Sequence, residues 1–111
     1  MSFPGFHWIK MRKPQVWSAL CTAIADGSDA RYPLGAKHAI IFMVRASELQ
    51  AGESVLALLI SNGWRGPEIT QMKQLEDPFR SEDPVMLSCY KGATHKEGGL
   101  IVYSETMENN L

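Results

Sequence analysis

Five consecutive large apolar residues, Ile40, Ile41, Phe42, Met43 and Val44, put hydrocarbon on both faces of any strand that contains them. A strand over 38–46 therefore has to be central, covered on two faces or on one face plus an extra element. It is followed at once by a helix. Ser47 and Gln50 have the spacing of a capping box, in which the serine hydroxyl accepts from the amide three residues on. Leu49, Gly52, Leu56, Leu59 and Ile60 then recur as one stripe with Val55 beside it. Asn62-Gly63 is a helix stop that lets Trp64 fold back on Leu59. Residues 37–64 thus read as a strand–helix unit.

Residues 15–25 fit two periods. As a helix, Pro14 would occupy the first position; as a strand, Val16, Ser18, Leu20, Thr22 and Ile24 alternate with Trp17, Ala19, Cys21 and Ala23. The strand is preferred because the turn-rich loop after it, with Gly27, Pro33 and Gly35, supplies an antiparallel partner for 38–46. Ile69, Met72 and Leu75 recur every three residues, which suits a bulged or edge strand over 67–75 or a short helix opened by Pro67. The second Glu-Asp-Pro starts a helix, with Asp83 as N-cap and Pro84 at N1. Val85, Met86, Cys89 and Ala93 form its inner stripe, Lys91, His95 and Lys96 lie near its C-terminus, and Gly98-Gly99 end it. LIVYSE from Leu100 reads as a last buried strand.

The order is strand, strand, helix, strand, helix, strand. The fold expected is an α+β two-layer sandwich, with about four strands in a mixed sheet and two helices on one face. That arrangement resembles the ferredoxin-like sandwiches in style, although the hairpin sits elsewhere in the order. The division expected is an N-terminal arm over 1–13, one α+β domain over 14–106 and a frayed tail over 107–111. The uncovered sheet face would be met by the arm or by a second subunit, which makes a homodimer an expectation.

The 111 residues suffice for one domain with a core, and 45% apolar and 21% charged residues are ordinary for a globular protein. A formal net charge of −1 leaves no global field for phosphate neutralisation. Nucleic-acid binding would rest on Lys10, Arg12 and Lys13 alone. No apolar run is long enough to span a membrane, and the N-terminus has no secretory h-region, so the location expected is cytoplasmic. Cys21 and Cys89 read as reduced and buried.

Chemistry is sparse. His7, His38 and His95 have no metal-ligand neighbour at helical spacing, and no Cys-x-x-Cys, Gly-x-Ser-x-Gly or phosphate-loop pattern occurs. No metal, cofactor or catalytic residue is assigned. The function expected is a small non-enzymatic protein-interaction module, a regulatory, accessory or toxin-neutralising partner. Trp8 in the arm and the acidic lip of Glu76, Asp77 and Glu82 would meet a protein partner. The alternative is a small enzyme or small-molecule binder with a pocket between sheet and helices or at a dimer interface, using Lys37, His38 and Tyr103, with Asp83 as a further candidate.

Overall fold

The computed structural model describes residues 14–107. The arm with Trp8 and residues 108–111 lie outside the described residues. Four strands, β1 (Gln15–Ala25), β2 (Lys37–Ala46), β3 (Trp64–Gln74) and β4 (Gly99–Thr106), form one sheet in the order β3-β1-β2-β4. Helix α1 (Glu48–Ser61) joins β2 to β3, and α2 (Pro84–His95) joins β3 to β4. The fold is α+β.

Residues 15–25 are a strand. The β1–β2 hairpin aligns Ala19 with Phe42 and Cys21 with Ile40. Every neighbouring pair is antiparallel, not mixed, because α1 carries the chain past β1 before β3 pairs with it. β3 is the bulged edge strand that its period of three implied, with register shifts opposite Leu20/Cys21 and Thr22/Ile24. β4 is the other edge. It is half exposed rather than buried, since it pairs with β2 alone.

The two helices lie on opposite faces of the sheet, which corrects the two-layer expectation. Ala51, Val55 and Leu59 of α1 share a core with Ala19, Cys21, Ala23, Ile40, Phe42 and Val44. Cys89 and Ala93 of α2 share another with Val16 and Met43, flanked by Ile41 and Ile101. Phe42 and Met43 are adjacent in one strand, so these clusters sit on opposite faces. The apolar run of β2 is the cause: Ile40, Phe42 and Val44 require one cover, Ile41 and Met43 another. Over part of that second face, α2 takes the place that the sequence reading gave to the arm or a second subunit.

Local details also shift. Ser47 caps α1 without a bond from its hydroxyl to the helix backbone; the hydroxyl donates instead to Oε1 of Gln50 at 3.3 Å. The buried stripe of α1 is Ala51, Val55 and Leu59, while Leu49 (92% exposed) and Ile60 (60%) face outward. Asp83 caps α2 as expected, accepting from the amide of Val85 at 2.9 Å. Val85 itself stays exposed. Gly63, at φ +95°, closes α1, and Trp64 packs into the Leu59 cluster. The tail is tied at its first residue, where the Met107 amide donates to the Lys37 carbonyl at 2.7 Å. Among the described residues, no helix is long and apolar enough to cross a membrane.

Candidate functional site

Strand alternation assigns the face under α2. β1 presents Val16, Ser18 and Leu20 there, β2 presents Ile41 and Met43, and β3 presents Gln71 and Lys73. Helix α2 packs on β2 and β4 and barely touches β1. The half of the face nearer β3 is therefore left open. What bounds it is the loop between β3 and α2. There Phe79 stacks on Tyr90 of α2 with ring centroids 4.9 Å apart, which ties the loop to the helix.

The result is a groove of about 410 Å³. Its floor is Leu20, Ile41 and Met43, its walls include Phe79 and Met86, and its polar rim is Lys73, Arg80 and Tyr103. Leu20 is 38% exposed although it occupies the middle of a central strand. A solvent-reached leucine at such a position marks sheet that the described residues do not cover.

The sequence-assigned residues distribute unevenly around this groove. Tyr103 lines it. His38 does not: it is 2% exposed and belongs to the face under α1. Its Nδ1 lies 2.8 Å from the Tyr103 carbonyl oxygen, so the ring N–H donates there. The ring then sits in an aromatic cluster, 5.3 Å from Tyr32 and 5.8 Å from Trp64 between centroids, and its buried Nε2 has no hydrogen-bond partner. That is a wedged core histidine, not a pocket group. Lys37 precedes it on the strand and lines none of the groove. Glu76 and Asp77 are exposed beside Arg45 and Pro14 in a separate, smaller depression, and Glu82 and the capping Asp83 are exposed at the start of α2. The acidic residues thus flank the groove loop without converging on one rim. Lys73, Arg80, Leu20 and Phe79 carried no motif in the sequence. The one available signal was Leu20, an apolar residue flanked by Ser18 and Thr22 on that face.

The geometry offers little covalent chemistry. Among the described residues, no histidine, cysteine or carboxylate lines the groove. Among the described residues, no group of three histidine, cysteine or acidic side chains could hold a metal. The Thr94 hydroxyl lies 2.9 Å from Nδ1 of His95, but it also donates to the Lys91 carbonyl at 3.2 Å, an arrangement that closes the end of α2.

Both thiols are free and buried, one under each face, so the sheet separates them. Burial pushes each up to about 11 from an ordinary value of 9.0. They are neutral at physiological pH and poor nucleophiles. The raised values have a consequence for stability. The unfolded chain loses these protons first, so the contribution is full below about pH 9 and is lost as the pH rises toward 11. Urea titrations at pH 8 and 10.5 are expected to show the wild type losing on the order of 2 kcal/mol more than a Cys21→Ala/Cys89→Ala variant. Equal losses would mean that the thiols are solvated.

Compared with protein-family models, with curated proteins and with solved structures, the chain matches none.

Proposed function

We propose that this chain is a non-enzymatic binding protein that takes a small amphipathic molecule in the groove between sheet and α2. The observation that carries this reading is the half-covered sheet face, with Leu20 open to solvent at its centre. Scale supports a small ligand over a protein partner. Ligand sites run to roughly 300–1,000 Å³, and the groove falls within that range. Protein docking surfaces are broader, with about 800 Å² on each side, and here the acidic residues that would have formed one do not gather. An apolar floor with a few polar groups on its rim is the usual composition of a ligand site.

Among the described residues, no groove hydroxyl is hydrogen-bonded to a side-chain base, and that supports binding without turnover. Methyl-labelled NMR tests the reading with a library of small amphipathic fragments. The expected hits move the Ile41, Met43 and Met86 methyl signals and leave Met72, on the opposite face, in place. Fragments that perturb Met72 or Glu76, Asp77 and Glu82 instead, or no fragment that perturbs the groove methyls, would overturn it.

A further inference from the structure

The groove is electrostatically lopsided. The chain holds 12 acidic and 11 basic residues, yet the groove is lined by two cations, Lys73 and Arg80, and by no carboxylate. Neither cation is neutralised from within: the ion pair among the described residues is Arg31 with Asp29, in the β1–β2 loop. Lys73 is held in place by its strand. It pairs in register with Ser18, and both lie on the groove face. Arg80 follows Phe79, whose stack on Tyr90 anchors that stretch of loop at the groove wall. Two cations with no partner beside an apolar floor form a complementary surface for one anion that carries a hydrocarbon body.

We infer that the groove takes an apolar monocarboxylate, with its hydrocarbon chain on Leu20, Ile41, Met43 and Met86 and its carboxylate at Lys73 and Arg80. The inference rests on the proposed function and names its ligand class. Guanidinium suits a carboxylate because its fork can donate two parallel hydrogen bonds, and lysine adds a flexible point charge. The Tyr103, Ser18 and Ser81 hydroxyls around the groove can donate to the remaining lone pairs. A cationic amphiphile would meet like charge at the same rim. A neutral one would fill the floor and leave both cations unanswered. A dianion such as a phosphate monoester would balance both cations in charge but would have to shed a larger hydration shell against a largely apolar lining.

Decanoate, decanol and decylamine, each kept below its micelle concentration, provide the test on the full chain. Methyl shifts of Met43 and Met86 report the site, with Met72 as the control. Decanoate is expected to bind at least tenfold more tightly than decanol, and decylamine more weakly than either. A Lys73→Gln/Arg80→Gln variant is expected to bring decanoate to the decanol level while decanol binding and thermal stability stay unchanged, since both side chains are exposed. Equal affinity for decanoate and decanol, or a double variant that keeps the preference, would overturn the carboxylate assignment and leave the groove reading standing. Shifts confined to Met72, or no groove shift with any of the three probes, would overturn both.

Discussion

Replacing Gly99 with alanine is expected to cost about 3 kcal/mol or more, the upper end of what overpacking does to a core. The reason is backbone against backbone. A Cβ at Gly99 would lie 2.1 Å from the Cys89 carbonyl oxygen and 2.9 Å from its Cα. Neither atom can swing away as a side-chain tip would. Gly92, on the helix side of the same contact, would place its Cβ 2.8 Å from the Gly98 carbonyl oxygen. Helix α2 thus meets the start of β4 through two glycines, one on each element. Relief would require the helix to lift, which would open the Cys89–Met43 cluster. Urea unfolding measures the cost, with Gly52→Ala as the counterpart. There the new methyl would meet only Ile69 Cδ1 at 3.9 Å, in a helix interior. That variant is expected to gain up to about 1 kcal/mol from propensity. A Gly99→Ala protein within 1 kcal/mol of wild type would contradict the close contact.

Phe42→Ala is expected to lose about 3–5 kcal/mol, and with it more than roughly 10 °C in Tm. Phe42 is 2% exposed and is aligned with Ala19 on one side and Leu100 on the other. The β1 residues facing α1 are Ala19, Cys21, Ala23 and Ala25, and α1 answers with Ala51. Phe42 shares its cluster with these short side chains, which have no rotamer that could fill the space the ring vacates, and a cavity that persists is the condition under which large-to-small substitutions cost most. Phe42→Leu keeps most of that volume and is expected to lose about 1–1.5 kcal/mol. Thermal denaturation of the two variants separates the cavity effect from a general dislike of substitution. Equal losses would show that volume is not what matters there.

Asp83-Pro84 and Asn62-Gly63 are local signals, and the helix ends they imply are where they should be, because a cap depends on a few adjacent residues. The antiparallel hairpin of β1 and β2 was favoured for a similar reason: the turn residues Gly27, Pro33 and Gly35 between them reverse the chain. Gly98-Gly99 shows where local reading stops. The pair reads as a helix terminator, and the structure uses Gly99 to let a helix lie against a strand. A close approach between distant segments leaves the same glycine in the sequence as a turn does.

Apart from Tyr103, the groove was not legible. Leu20 and Lys73 are more than 50 positions apart in the chain, and Arg80 and Tyr103 come from different elements again. Their meeting depends on which edge β3 takes and on how far α2 extends over the second face. His38 and Tyr103 show the same limit in reverse. They are joined by a hydrogen bond, yet the ring points to one face and the Tyr103 side chain to the other.

What the amino-acid order by itself determined was the ends of the two helices and the apolar character of β2, because caps, turns and alternation act over a few residues, while residues 15–25 and 67–75 stayed open between strand and helix. What only the tertiary structure decided was which face each helix covers, and hence the half-face that stays open. That choice follows from packing two helices against a strand that is apolar on both sides, a competition among surfaces that no single segment encodes.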